Sequence, residues 1–218
     1  MVDAEPTRAR SYRSPLRERQ VAQTREAILN ALAAEILDNG IHGLSVADVA
    51  ARAEVAERTV YRHFANVEAM IDALTALVGT QLEAKLGDQP RLRPDKTEPP
   101  DALVDQLPAL YVAFDEIGAP ARAIAAVTLA RGSDRGRRQR RDLLADALKE
   151  ELGHLDPVAA HAVVETLYLL GGSVSWFLLT RSGELTGEQA GQAAARAVRA
   201  ILRDLRAERA SSSRGGRA

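Results

Sequence analysis

The sequence predicts an all-α protein of about nine helices, and three observations support that prediction. Alanine, leucine and arginine, which favour helices, dominate the composition. Aromatic residues make up only 4% of the chain, and the alternation of β-branched residues that is typical of strands is rare. Apolar residues recur at helical spacing, as Ile28, Leu32 and Ile36 do. A chain of 218 residues can form one large domain or two smaller units that share a core.

The N-terminal part of the chain divides into an arm and a helix. Residues 1–16 are polar, rich in arginine and interrupted by Pro6 and Pro15, so we expect a flexible arm. A helix is predicted over 17–38, and Gly40 is expected to end it because glycine adopts the conformation that closes a helix.

Two short helices joined by a tight turn are predicted next. The Ser45 hydroxyl can cap the first of them by accepting from a free backbone amide in its first turn. Residues 53–55 form a three-residue turn, and the second short helix covers 56–63. Asn66 is expected to cap the following helix, which ends near Leu86.

The rest of the chain is predicted to be a helical body. The segment 87–101 contains four prolines and is therefore expected to be a loop. The serine-, glycine- and arginine-rich residues 211–218 are expected to be disordered. Between them, helices are predicted at about 102–117 with a bend at Pro108, 120–131, 136–153, 157–182 and 187–208.

The charge of the chain is nearly balanced but unevenly distributed. The formal net charge is −1, which argues against bulk affinity for nucleic acid, yet five arginines lie between Thr7 and Arg19 and six lie between Arg131 and Arg141. Local basic patches of this kind can bind polyanions on one face of a protein. The cluster at 131–141 is expected to join two helices, as a solvated junction, a second DNA contact or a gate for an anionic effector.

Composition and spacing also exclude several classes of protein. The chain has no cysteine, its N-terminus lacks the apolar core of a signal peptide, and its apolar stretches are shorter than a membrane span, so we expect a soluble cytoplasmic protein. The histidines are too scattered for a metal or catalytic site, and no glycine-rich phosphate loop is present. We therefore predict no enzyme activity, no metal and no cofactor.

The second short helix carries an unusual set of outward polar residues. Val60 and Phe64 are expected to face inward, which leaves outward the side chains of Glu57, Arg58, Thr59, Tyr61, Arg62 and His63. A helix-turn-helix holds its second helix in this way so that it can enter a major groove. The alternative is that Tyr61 and His63 are ordinary half-buried side chains beside a solvated basic face.

Residues 17–75 resemble the DNA-binding domain of the TetR family of bacterial transcriptional repressors. The resemblance is carried by Thr24-Arg25, Ile28-Leu29, Gly40, Ser45-Val46, Val49-Ala50, Val55, Thr59-Val60-Tyr61, His63-Phe64 and Glu68. It implies a DNA-binding surface built from Thr24, Arg25, Ser45, Val46, Glu57, Arg58, Thr59, Tyr61, Arg62 and His63. Arg58, Arg62 and Glu57 would face bases, and most of the others would contact phosphates. The arm residues Arg8, Arg10, Arg13 and Arg17 would follow the DNA backbone or enter a minor groove.

Three positions depart from the pattern of the family. Glu54 stands where the turn usually has glycine, so we expect a left-handed backbone there at a cost of roughly 1 kcal/mol. Ala56 replaces the usual serine cap, a loss on the order of 1 kcal/mol. Val67 replaces a basic residue that commonly contacts phosphate. These departures leave an alternative function open, a helical protein-interaction adaptor that has lost specific DNA binding.

The body is expected to supply dimerisation and ligand binding, as the resemblance also implies. The predicted homodimer interface consists of Thr166, Leu170, Val174, Phe177, Ala194, Ala197, Ile201 and Leu205. The alternative is that these side chains form the core of a monomer. The candidates for an effector site are Leu107, Leu110, Tyr111, Phe114, Ile124, Val127 and Thr128, all of which would be equally at home in a packed core. Such a lining would favour a small apolar or amphipathic molecule, whose identity stays open.

These assignments divide the chain into four parts and predict one function. The parts are an arm at 1–16, a helix-turn-helix DNA-binding domain at 17–66, an effector-binding and dimerisation domain at 67–210 and a tail at 211–218. The predicted function is a ligand-responsive, sequence-specific transcriptional regulator, a repressor by the family resemblance. A small effector would release it from a palindromic operator in double-stranded DNA.

Overall fold

A computed structural model describes residues 15–87, 100–131 and 135–215, and within these ranges the protein is helical without strands. The all-α prediction is confirmed. The helices are α1 Pro15–Asn39, α2 Val46–Arg52, α3 Glu57–His63, α4 Val67–Leu86, α5 Pro100–Asp105, α6 Leu107–Ile117, α7 Ala119–Arg131, α8 Arg135–Ala147, α9 Lys149–Leu152, α10 Pro157–Leu170, α11 Ser173–Ser182 and α12 Gly187–Gly215.

The N-terminal unit is the packing of α1, α2, α3 and the first turns of α4 around one apolar cluster. Ile28 and Leu32 of α1, Val49 of α2 and Val60 of α3 are fully buried in that cluster. Because α2 and α3 each have only seven residues, their stability depends on this packing rather than on helix propensity.

Local signals in the sequence set the ends of these helices as predicted. The amide of Asp48 donates to the Ser45 hydroxyl at 3.1 Å, and the amide of Ala69 donates to the Asn66 side chain at 2.9 Å. Glu54 adopts a φ of 56°, in the left-handed region, and Ala56 caps α3 without a side-chain hydrogen bond. The left-handed backbone expected at Glu54 and the missing side-chain cap expected at Ala56 are therefore both present.

The body packs around α6, which lies against α4, α11 and α12. Leu110 and Tyr111 of α6, Trp176 of α11 and Leu202 of α12 are fully buried in a second apolar cluster. α12 begins with a capping box, because the amide of Gln189 donates to the Thr186 hydroxyl and the amide of Thr186 donates to the Gln189 side chain.

Helix α7 belongs to both clusters. Ala121 and Ala125 pack into the core of the body, whereas Ala123 and Val127, on another face, pack into the core of the N-terminal unit. A displacement of α7 would therefore be felt by both units.

Three predicted helices differ from the observed ones. The helix predicted over 157–182 breaks at Gly171-Gly172 into α10 and α11, which are bent by 56°. The helix predicted over 102–117 is interrupted at Gln106, just before the expected bend at Pro108, and that predicted over 136–153 is interrupted at Leu148. Helix α12 continues to Gly215, beyond the predicted end of the body at residue 210.

Among the described helices, none is by itself long and apolar enough to cross a membrane. Taken together, the bent pair α10 and α11 is long and apolar enough to do so, by length and composition only.

Candidate nucleic-acid interface and internal cavity

Helix α3 presents a polar face to solvent and an apolar face to the N-terminal core. Val60 is fully buried and Phe64 is 4% exposed, while Tyr61 is 54% exposed despite its aromatic ring. Of the other predicted contacts on α3, Glu57, Arg58 and Arg62 are exposed, and Thr59 and His63 are half-buried. The exposed set contains two guanidinium groups and a carboxylate, the side chains that read guanine and cytosine in a major groove.

The C-terminal end of α3 is fastened to α1 by Arg25. Its guanidinium donates to the His63 carbonyl at 3.3 Å and lies over the Phe64 ring, 4.3 Å from the ring centre. Arg25 was predicted to touch DNA, and these contacts give it a positioning role as well. Because a guanidinium has five donors, one bond to a carbonyl leaves others available to a phosphate.

His63 is partly enclosed beside two positive charges. Its Nε2 atom is buried and lacks a hydrogen-bond partner among the described residues. Burial, followed by the charges of Arg62 and Arg25, lowers the pKa of His63 below its usual value. Both effects favour the neutral imidazole over its protonated form.

A polar clamp fixes α2 against α1. Glu35 is only 6% exposed, and it accepts from Arg52 Nε at 2.9 Å and from the Asn39 side chain. Arg52 also pairs with Asp38 at 2.7 Å, so one arginine connects two turns of α1 to the end of α2. This clamp and the Val49 packing set the angle at which the helix-turn-helix leaves α1.

The remaining predicted DNA contacts lie around the start of α2 and on α1. Ser45 and Val46 are half-buried at the N-terminus of α2, Thr24 is half-buried on α1, and Arg17 is exposed in the first turn of α1. The Thr24 hydroxyl donates to the Gln20 carbonyl of its own helix at 2.9 Å. Arg8, Arg10 and Arg13 lie outside the described residues.

An internal cavity of about 640 Å³ lies between α4, α6, α7 and α8. Six of the seven predicted effector residues line it, namely Leu107, Leu110, Phe114, Ile124, Val127 and Thr128. Its volume lies within the range of small-molecule sites, and most of its lining is apolar.

Tyr111, the seventh candidate, does not line the cavity, because this side chain is fully buried in the core of the body. Its hydroxyl donates to the Leu170 carbonyl at 2.7 Å, and burial raises its pKa well above the usual range. The bond satisfies the last carbonyl of α10 at the break between α10 and α11.

Charged groups lie at the end of the cavity nearest to α3. Arg131 Nη1 donates to both carboxylate oxygens of Glu68, at 2.7 and 2.8 Å, and both residues line the cavity. Asp72 and Arg140 line the same cavity. The pair of Arg131 and Glu68 joins the last residue of α7 to the second residue of α4, four residues after the buried Phe64.

Three residues of the predicted dimer interface lie in the core of a single chain. Phe177 of α11 and Ala194 and Leu205 of α12 are each at most 5% exposed within a single chain, because all three pack into the apolar core of the body. Of the other five, Thr166 is exposed, and Leu170, Val174, Ala197 and Ile201 are half-buried.

Sequence reasoning missed several walls of the cavity and its charged residues. One of the missed walls is α4, which contributes Ile71, Thr75, Val78 and Leu82. Its apolar stripe is visible in the sequence, but a stripe does not tell whether it meets a neighbouring helix or an open space. Glu68 was named as part of the family pattern, and its partner Arg131 is 63 residues away.

Comparison with known proteins agrees with this geometry. Residues 28–74 match the family model described as "Bacterial regulatory proteins, tetR family". The fold is similar to a TetR-family regulator from Marinobacter aquaeolei VT8 (19% identity, 83% of this chain and 97% of that one, TM-score 0.57). It is also similar to the SmeT–triclosan complex (21% identity, 82% and 91%, TM-score 0.54). Comparison with curated proteins found no match.

Proposed function

We propose that this chain is a repressor that a small apolar or amphipathic ligand releases from a palindromic operator. The chain belongs to the TetR family and is a DNA-binding transcriptional regulator. The single observation that carries the proposal is the arrangement of buried and exposed side chains on α3. This helix is anchored by Val60 and Phe64 and exposes Arg58, Tyr61 and Arg62 on its outer face.

Ligand response is proposed because the cavity and the N-terminal unit share two helices. The cavity is lined by Ile124 and Val127 of α7, and Val127 is also part of the N-terminal core. A ligand that fits one arrangement of α4 and α7 better than another shifts the population toward that arrangement. The mutual position of two DNA-binding units would then no longer match the operator.

One structural neighbour supports a small-molecule ligand. The SmeT structure is a complex with triclosan, and its fold extends over most of this chain. We transfer from it only the idea that an apolar small molecule is a suitable class of ligand.

The homodimer that we propose would use the outer face of α10 and α11. Val158, Leu169 and Leu178 are 79%, 50% and 42% exposed within one chain, and Thr166 lies on the same outer side. Exposed apolar side chains on neighbouring helices favour burial against a second copy. Twofold symmetry would place two α3 helices about one DNA turn apart, as a palindrome requires.

The test measures binding of the full chain to DNA from its own upstream promoter by fluorescence anisotropy over a salt series. We expect preference for one promoter segment over scrambled DNA and a steep loss of affinity with salt. Arg58→Ala and Arg62→Ala should lose that preference, whereas Arg196→Ala, an exposed arginine on α12, should keep it. Weak binding without sequence preference would favour the adaptor alternative instead.

A further inference from the structure

We propose that the ligand of the cavity is an amphiphile with an anionic head group, a carboxylate or phosphate bound by Arg140. This inference rests on the proposed ligand response and specifies the chemical class of its ligand.

Helix α8 faces the cavity with a stripe that changes from apolar to cationic along its length. Arg140, Leu144 and Ala147 are spaced by four and three residues, and all three line the cavity. Residues at this spacing lie on one face of a helix. An extended ligand that packs its chain on Leu144 and Ala147 therefore meets the Arg140 guanidinium within about one turn, roughly 6 Å along the helix axis.

Arg140 is a cation of the cavity lining that is available to bind an anionic ligand. Arg131 is held by both oxygens of Glu68, and the neighbouring Arg141 is directed at Glu165, 2.6 Å away, and at the Tyr168 ring. Within the described ranges, by contrast, Arg140 forms no ion pair or side-chain hydrogen bond. A guanidinium offers two parallel donors, which match the oxygens of a carboxylate or phosphate.

Asp72 is one of the carboxylates in the lining that oppose an anion. It is exposed on α4, one turn after Glu68, and it lines the same cavity. The carboxylate of Glu68 is neutralised by Arg131, and Glu83, the remaining carboxylate of the lining, lies about three turns beyond Asp72 along α4. The choice between an anionic and a cationic head group therefore depends mainly on Arg140 against Asp72. A fixed carboxylate of this kind weakens the binding of an anion without abolishing it, because the mouth of the site is solvated.

The experiment compares three ligands that share one chain length, decanoate, decanol and decylammonium, at pH 7.5. Binding is followed by isothermal titration calorimetry and by the fluorescence of Trp176, the only tryptophan in the sequence. Its ring centre lies 5.1 Å from that of Phe114, which lines the cavity. We expect decanoate to bind roughly tenfold more tightly than decanol, the ratio that one charge-assisted hydrogen-bonded pair supplies.

Variants test whether Arg140 causes the difference in affinity between decanoate and decanol. Arg140→Gln should reduce the affinity for decanoate to that for decanol and leave decanol unchanged. Arg138→Gln, on the same helix but outside the cavity lining, is the matched control and should bind all three ligands like the parent protein. Asp72→Asn should increase the affinity for decanoate severalfold.

The outcomes separate this inference from the function on which it rests. Equal affinities for decanoate and decanol, or tighter binding of decylammonium, would overturn the anionic class while leaving an apolar ligand site intact. No heat and no change in fluorescence with any of the three would overturn both the anionic class and this cavity as the ligand site. Promoter binding in the anisotropy assay would still stand.

Discussion

Arg131, at the end of α7, is joined to Glu68 in the first turn of α4 by two hydrogen bonds of 2.7 and 2.8 Å, and both residues line the cavity. Both side chains are partly exposed, at 34% and 61%, so the pair adds little to global stability. Its position gives it another role, since it connects the end of α7 to the helix that directly follows the helix-turn-helix. A ligand at this end of the cavity would act on the pair first.

Arg131→Gln should therefore weaken the response to ligand more than it weakens the fold. We expect the free energy of unfolding to change by less than about 1 kcal/mol. The decrease in promoter affinity on addition of decanol should be at least halved. Lys85→Gln is the control, because Lys85 pairs with Glu116 at 2.7 Å between α4 and α6, distant in sequence from the helix-turn-helix. A response of full size in Arg131→Gln would refute this role.

In the turn between α2 and α3, the backbone conformation of residue 54 would suit glycine better than glutamate. Glu54 has a φ of 56°, so Glu54→Gly should raise the free energy of unfolding by about 0.5–1 kcal/mol. Chemical denaturation measures this change. The matched control is Glu26→Gly, an exposed site within α1, which should lower stability by a similar amount. Loss of stability in Glu54→Gly would show that the side chain makes a contribution that outweighs the strain.

His63 should make stability depend on pH. Its pKa is lowered in the folded state by burial and by Arg62 and Arg25, so below about pH 6.5 the unfolded chain binds more protons than the folded chain. Stability is therefore complete above the unfolded pKa and falls as the pH drops below it, until the folded group is also protonated. His63→Gln should remove this part of the dependence. An unchanged slope between pH 6.5 and 5 in that variant would contradict the assignment.

Asp115 should be needed for the packing of α11 and α12 against α6. Its carboxylate accepts from Trp176 Nε1 at 2.9 Å and from the Gly187 amide at 2.6 Å. Asp115→Ala leaves both donors without this acceptor and should lower the free energy of unfolding by about 1–3 kcal/mol. The tryptophan emission of the folded variant should also shift. Glu116→Ala, on the exposed side of α6, should change stability by less than about 1 kcal/mol.

The parts of the structure that the sequence predicts well are those set by local chemistry. Ser45 and Asn66 cap helices because their side chains reach amides only three residues away. The turn at Glu54 and the inward positions of Val60 and Phe64 follow from helical spacing. Six effector candidates line the cavity because they lie on the apolar face of α6 or of α7 that is turned toward it.

Other features depend on which surfaces meet, and local patterns do not contain that information. The stripe of α12 was assigned to a partner subunit, yet Ala194 and Leu205 face the chain's own core. The pair Gly171-Gly172 can lie inside a helix at a modest energetic cost, or it can end one helix before the next begins. In the structure the helix ends there. Arg131 and Glu68 are too far apart in sequence for spacing to pair them.

Methylation protection of guanine N7 in the upstream promoter tests the central claim most directly, because N7 lies in the major groove that α3 is proposed to enter. The account predicts two protected clusters, about one helical turn apart and related by a twofold axis. Both clusters should be lost in the Arg58→Ala and Arg62→Ala double variant and retained in Arg196→Ala. Uniform methylation of promoter DNA to which the parent protein is bound would contradict it.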